Sequence, residues 1–265
     1  MSELLPHLAV GLTALGAAGL TLYSGFGLGT LLLPVFALFV PVEIAVGATA
    51  LVHAASNLLK VAVLGRHADR GLVLRFGLPA LLAAFAGAAA LGSVAHLEPL
   101  ARYALGPREA QITPVKLAVA LLMLAFALFE LLPRLRGLRF ARRHLVVGGL
   151  LSGFFGGFSG HQGALRSAFL VKFELSTPAF VGTNAVIGFL VDLARLGTYA
   201  GFVLAGRGGA LAPGQWGLVA TGALAAFAGI LLGRRFLHKV TMSAVQTLTG
   251  VLLALIALAL GAGLI

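Results

Sequence analysis

The sequence predicts an all-α fold, a polytopic transmembrane helical bundle built from two inverted repeats. Each repeat is a glycine-broken, re-entrant helical hairpin plus three membrane spans. Three observations point there. The 265-residue chain is 60% hydrophobic and only 10% charged, with a mean hydropathy of +1.04. That is far from the soluble balance and leaves room for about seven or eight spans. Clusters of glycine interrupt two of the apolar runs. A set of short motifs in the first half recurs, in the same order, in the second.

In chain order, residues 4–23 are apolar and long enough to cross a bilayer. They run into Ser24-Gly25-Phe26-Gly27-Leu28-Gly29-Thr30 and then a second apolar piece, 31–40, too short to span alone. Pro41 and Glu43 open a helix over 43–64 that carries Thr49, His53, Ser56, Asn57 and Lys60. A short basic loop follows, with Arg66, His67, Asp69, Arg70 and Arg75, and 76–95 is the next span. The connection 96–113 balances Glu98 and Glu109 against Arg102 and Arg108, and 115–132 spans again. Arg134, Arg136, Arg139, Arg142, Arg143 and His144 then form the strongest charge run of the chain, with no acid among them.

The second half opens on GGLLSGFFGGFSGHQGALRSAFLVKF, residues 148–173, with seven glycines between Gly148 and Gly163. Each costs about 1 kcal/mol against Ala inside a helix, so the run predicts a break at membrane depth, its tip at 156–163. Broken backbone is tolerated there only when buried in protein or lining a polar cavity. Ser159, His161, Gln162 and Gly163 fall in the break and Arg166 just beyond it. Residues 176–202 then carry Thr183, Asn184, Asp192 and Arg195. The Gly-rich connection 206–214 has Arg207 as its only charge, and 216–232 spans. Arg234, Arg235, His238 and Lys239 precede an uncharged tail helix, about 244–264.

The duplication rests on register. Val46-Gly47-Ala48-Thr49-Ala50 lies 135 residues before Val181-Gly182-Thr183-Asn184-Ala185, and the same offset puts Asn57 on Asp192 and Lys60 on Arg195. Upstream, Gly25-Phe26-Gly27 matches Gly157-Phe158-Ser159 with a small insertion. Repeat one is then about 1–133, the basic linker 134–144 and repeat two about 145–265. Placing the basic loops 66–75, 134–144 and 234–239 in the cytoplasm makes 43–64 run inward and 176–202 outward. This inversion requires each broken stretch to enter and leave on one side, with both termini outside. Residues 4–23 are the weak point, because a full crossing there would spoil it.

The +11 net charge is a topology signal in short loops rather than a nucleic-acid footprint. Without cysteine there are no disulfides and no Cys-ligated metals; neither metal nor cofactor is expected. No basic n-region opens the chain, so no cleaved signal peptide is expected. The partners expected are the lipid bilayer, a small anion and, through small-residue faces, a second copy in a homodimer. Arg166 is the leading substrate ligand. In the first turn of a half-helix it adds a planar donor fork to the free N–H groups and positive dipole end. A structural pair with Asp192 is the compatible alternative. In the first repeat the matching turn, with Gly27, Gly29 and Thr30, offers backbone N–H groups and the Thr30 hydroxyl. His161 is a proton carrier, a neutral hydrogen-bond donor or a buried histidine. Thr49, Asn57, Thr183 and Asn184 line the cavity or tie helices together. Asp192 and Arg195, three apart, form a local ion pair or a coupling site, and Lys60 joins them or snorkels from a helix end. Gly157-Phe158-Ser159-Gly160 resembles the Gly-x-Ser-Gly nucleophile of rhomboid intramembrane proteases. Ser159 would need a histidine in a later membrane helix, and none is there.

The run Gly25-Phe26-Gly27-Leu28-Gly29-Thr30-Leu31-Leu32-Leu33-Pro34, with Ala45-Val46-Gly47-Ala48-Thr49 and Asn57-Leu58-Leu59-Lys60, resembles the sulfite exporter TauE/SafE family. The second Gly-rich turn, Val181-Gly182-Thr183-Asn184 and the polar Asp192 are similar to that family's second repeat, so the likeness covers essentially the whole chain. It implies a multi-pass permease of a bacterial or archaeal inner membrane for small sulfur-containing anions such as sulfite, sulfonates or sulfoacetate. It places member-specific selectivity at His161-Gln162. The cysteine-based sulfur chemistry of some relatives is excluded here. An anion channel, marked by ohmic current, is the remaining transport alternative.

Single cysteines at Ser2, Gly137, Gly208, Ser243 and Leu264 test the topology. Impermeant thiol reagents should label positions 2, 208 and 264 in intact cells and spare 137 and 243. Labelling of 137 and 208 from one side would end the inverted-repeat reading.

Overall fold

The computed structural model describes residues 4–24, 28–106, 108–136, 138, 140–236 and 242–265. Gly27 and the Gly25-Phe26-Gly27 motif, Arg139, His238 and Lys239 lie outside the described residues, as do labelling positions 2 and 137. Described elements run α1 (Leu4–Ser24), α2 (Leu28–Ala37), α3 (Val42–Leu64), a 3-10 turn Gly65–His67, α4 (Arg70–Leu72), a π turn Val73–Gly77 and α5 (Leu78–Val94). A hairpin of β1 (Ala101–Leu105) and β2 (Arg108–Ile112) leads to α6 (Pro114–Leu131) and α7 (Pro133–Arg136). After it come α8 (Leu145–Ser159), α9 (Gly163–Leu170), α10 (Thr177–Leu204), α11 (Pro213–Phe236) and α12 (Met242–Gly261). The fold is an all-α membrane bundle. Five described stretches are long and apolar enough to cross: Val42–His67, Arg70–Val94, Pro114–Leu131, Thr177–Leu204 and Pro213–Gly233.

Most of the glycine run does not break its helix, which corrects the expectation of a break across 156–163. α8 is continuous to Ser159, and its glycines instead form a packing stripe against α5. A Cβ at Gly149, Gly153 or Gly157 would stand 2.4, 2.0 and 2.1 Å from the carbonyl oxygens of Phe76, Ala80 and Ala84. Gly87 of α5 reciprocates against the Phe154 carbonyl. In lipid, where apolar burial does not drive helices together, such close backbone approach is what associates them. The actual break is short. Gly160 ends α8 in the left-handed conformation, φ 81°, and α9 starts at Gly163.

Helix starts follow ordinary chemistry. Thr113 caps α6 by accepting from the Lys116 N–H at 3.2 Å, and Ser176 caps α10 through Ala179 N–H. The π turn ahead of α5 coincides with Pro79, whose ring in a regular helix would meet the carbonyl four residues back, on Arg75. The 96–113 connection forms a hairpin that the charge reading does not anticipate. Leu105 pairs with Arg108, Gly106 has φ 62°, and the Gly263 carbonyl accepts from Gln111 N–H.

The chain path sorts into two ends. At one lie the basic segments: Asp69 N–H bonds Thr183, Phe140 stacks on Phe169, and Arg136 reaches Ser243 and Thr247 at the start of α12. At the other lie the β-hairpin with the C-terminal residues, the contact of His96 with the Arg207 carbonyl, and His7 of α1 against Thr221 of α11. α5 packs along α8, α11 along α1, α3 along α10 and α6 along α12. The larger apolar core, with Phe36, Met123 and Leu253, fills the space between α2, α3, α6 and α12.

Gly153→Ala should force α5 and α8 apart and lower stability by about 1–3 kcal/mol, the usual overpacking cost. Gly16→Ala, whose new methyl meets nothing within 4 Å, should instead add about 0.5–1 kcal/mol. Thermal unfolding of detergent-purified protein separates the two.

Candidate functional site

Where α8 breaks, polar side chains of α3, α9 and α10 meet in one buried network. Helical spacing aligns them. Thr49, His53, Asn57 and Lys60 recur every three or four residues on α3, and Asn184, Gly188, Asp192 and Arg195 recur likewise on α10. Such a period keeps each set on one face. At Gly188 the absence of a side chain makes room, since a Cβ would lie 2.7 Å from Asn57 Nδ2 and 3.2 Å from Arg166 Nη1.

Asp192 is the hub. Its Oδ1 accepts from Arg195 Nε (3.1 Å) and Nη2 (2.7 Å) and, at 3.5 Å, from Gln162 Nε2. Its Oδ2 accepts from His53 Nδ1 (2.7 Å) and Asn57 Nδ2 (3.0 Å). Gln162 carries the network into the break: its Oε1 accepts from Arg166 Nη1 (3.0 Å) and its carbonyl from Ser152 Oγ (3.0 Å). Arg166 donates from Nε to Asn184 Oδ1 at 2.7 Å, and Asn184 Nδ2 bonds the Phe180 carbonyl. Thus the link from Arg166 to Asp192 runs through Gln162, and the close cation on Asp192 is Arg195. The local ion pair three residues apart is the arrangement found.

Three polar groups near the break are buried with no partner among the described residues: Arg195 Nη1, His161 Nε2 and Thr49 Oγ1. A Cβ on Gly160 would lie 2.8 Å from Arg195 Nη1, and His161 is the next residue. Gly29, in the first turn of α2, would place a Cβ 3.3 Å from the Gly160 carbonyl and within 4 Å of both His53 and Thr49. The start of α2 therefore touches the break after α8. His161 is oriented by Ser159 Oγ, 3.0 Å from Nδ1, and by stacking on Phe126 with centroids 5.2 Å apart. Ser159 itself donates to the Phe155 carbonyl.

Other expected site residues distribute as follows. Gly163 and Thr30 are buried in the first turns of α9 and α2. Lys60 is buried at 6% exposure and does not snorkel, because α3 continues one more turn and then into the 3-10 turn beyond it. Thr183 points its hydroxyl at the Asp69 N–H (2.9 Å) and serves the loop at the basic end. His53, uninformative in the sequence, is a direct partner of Asp192; its place four residues before Asn57 is the signal that could have found it. Tyr199, whose hydroxyl donates to the Gly157 carbonyl, went unremarked too.

The charge count sets the chemistry. Arg166, Arg195 and Lys60 are buried around Asp192, the network's carboxylate, so cationic side chains outnumber it there. An isolated charge in the low-dielectric interior costs several kcal/mol, and an unmet buried donor about 1–3 kcal/mol. Such a site favours an anion.

A family model described as Sulfite exporter TauE/SafE matches residues 9–260, and the chain belongs to that family of membrane permeases. No curated protein and no solved structure matches it.

Gly188→Ala should displace Asn57 or Arg166 and lower the melting temperature by several degrees, whereas Gly197→Ala on the same helix, in open space, should not. Equal melting of the two variants would mean that the packing at Gly188 is not needed.

Proposed function

We propose that this permease carries a small sulfur-containing oxyanion, sulfite or an organosulfonate such as sulfoacetate, across the cytoplasmic membrane by alternating access. In this reading Arg195 and His161 are the direct ligands, with Thr49 and the first turn of α2 completing the cradle. Arg166, Gln162, Asn184, Asn57 and His53 position them. The observation that carries it is the buried Arg195 Nη1 donor beside Gly160, without a partner among the described residues, inside a cluster with excess positive charge. Guanidinium and imidazole N–H groups suit a compact oxyanion. The sulfur class comes from the family description.

Alternating access draws on symmetry. Helix pairs α5–α8 and α11–α1 correspond under the 135-residue register, as do α5–α10 and α11–α3, while α3–α10 and α6–α12 are self-partnered. Asn57 and Asp192, equivalent in that register, bond each other at 3.0 Å. Equivalent positions touch only beside a pseudo-twofold axis, which supports an inverted repeat with the site at its centre. Both broken hairpins also fit: α1 starts and α2 ends toward the β-hairpin end, and α8 and α9 toward the basic end.

The second reading is an intramembrane serine hydrolase, favoured only by the 3.0 Å contact of Ser159 with His161. Ser159→Ala decides it, abolishing a hydrolase and leaving anion binding.

Arg195→Gln should weaken sulfite or sulfoacetate binding about ten- to a hundredfold, the worth of one charge-assisted hydrogen bond of about 1.5–3 kcal/mol. Arg195→Lys should fall between. Because Arg195 also pairs with Asp192, the double variant Arg195→Gln, Asp192→Asn is measured beside it. It should recover folding and not binding, read as ligand-induced thermal shift. Wild-type binding in a well-folded Arg195→Gln would exclude Arg195 as the ligand.

A further inference from the structure

A cavity of about 220 Å³ opens toward the β-hairpin end of the bundle. Three helices that also surround the buried network build its walls: α3 with Glu43 and Gly47, α5 with Leu91 and Gly92, and α10 with Tyr199 and Phe202. The α10–α11 connection covers it. There Arg207 lines the cavity and its carbonyl meets His96.

Tyr199 lies at the inner limit of this space. It is one helical turn from Arg195 on the same face of α10, and the face grades outward from the fully buried Arg195 to the half-buried Tyr199 and Phe202. The Tyr199 hydroxyl is bonded to the carbonyl of Gly157, three residues before the Gly160 break. One side chain thus touches the cavity on one side, and on the other joins α10 to the hairpin that carries His161.

We propose that this cavity is the outer vestibule of the anion route and that Tyr199 is the side chain closing it off from Arg195. The hydroxyl bond to Gly157 couples the closure to the hairpin, so movement of the break releases the ring. Arg207 supplies positive charge at the entrance. Glu43 stands in the first turn of α3, where the helix's positive end offsets its charge. The vestibule lies away from the basic segments and therefore faces the extracytoplasmic side. The assignment of an anion route rests on the transport reading above. The access test below reads thiol labelling rather than anion binding, so the two fail separately.

The chain has no cysteine, so reporters can be placed singly: Val203→Cys in the vestibule and Thr49→Cys beyond the closure. Sulfonatoethyl methanethiosulfonate, which does not cross membranes, is added outside to intact cells. Position 203 should react quickly and position 49 slowly. Adding Tyr199→Ala should speed position 49 at least tenfold and leave 203 unchanged. Tyr199→Phe keeps the ring and loses the bond, and should give an intermediate gain, so a poorly folding Ala variant does not leave the idea untested. Position 203 reacting only in inside-out vesicles would overturn the vestibule. Position 49 reacting at one rate with Tyr, Phe or Ala at 199 would overturn the closure. The expected labelling, beside an unsubstituted protein that binds neither sulfite nor sulfoacetate, would uphold the route and sink the substrate.

Discussion

One carboxylate organises the centre of this bundle. Asp192 is fully buried, and both of its oxygens are committed: one to Arg195 and Gln162, the other to His53 and Asn57. Those donors come from α10, from the break after α8 and from α3, so a single side chain fixes the relative placement of three segments. A buried ion pair is weak evidence for stability, because desolvation consumes most of the Coulombic gain. Here the cluster also holds more cationic side chains than carboxylates. Sequences selected for stability alone do not leave that imbalance at membrane depth, where ionisable groups mark pathways and sites.

Glycine does two different jobs around that centre. In α8 it acts as a small residue, letting the carbonyls of Phe76 in the π turn and of Ala80 and Ala84 in α5 come within contact of a helix axis without side chains between. Gly229 of α11 does the same against the Leu15 carbonyl of α1. At Gly160 it acts through its backbone, taking a left-handed φ that ends α8 and leaving space for the Arg195 guanidinium. The packing glycines bring α8 to a defined depth beside α5, and the single conformational glycine then turns the chain at that depth. A helix held loosely could not present His161 and Gln162 to α10.

This division explains what was legible in the chain. Spans, basic loops and the existence of a break followed from composition and glycine content, which act locally. Which glycine breaks the helix did not follow, because Gly156, Gly157 and Gly160 differ only in the neighbour that faces them. The polar stripes on α3 and α10 were legible as a repeat, and Asp192 with Arg195 as a local pair. The sequence favoured Arg166 over Arg195 as the ligand without the contacts that tell the two apart. Each is a buried arginine near the break, and the difference is tertiary: Asn184 and Gln162 engage Arg166, while Arg195 keeps one amino group unmatched. His53 was missed because a lone histidine carries no signal until its carboxylate, 139 residues away, is placed beside it.

The same burial bears on carrier against channel. Asp192, Arg195, His161 and Gln162 are each at most 1% exposed, so the network is sealed from both ends in this conformation. Passage of an ion past Arg195 therefore requires Gly160 and its neighbours to move, and their ties to α10 are unequal. Arg195 holds Asp192 within one helix at 2.7 Å, and His53 holds it across to α3 at the same distance, whereas Gln162 reaches it at 3.5 Å. At the carboxylate the longest tie is the one to the hairpin, which otherwise meets α10 through Arg166 on Asn184 and Tyr199 on the Gly157 carbonyl. On the transport reading, an anion entering between Arg195 and His161 adds contacts to both sides of that seam. It would draw them together when bound and let them part when released. A cation entering the same place would meet an existing excess of positive charge, and its binding would oppose closure. On that reading the direction of the coupling follows from the sign of the buried charge, and the proposed cargo is a small anion.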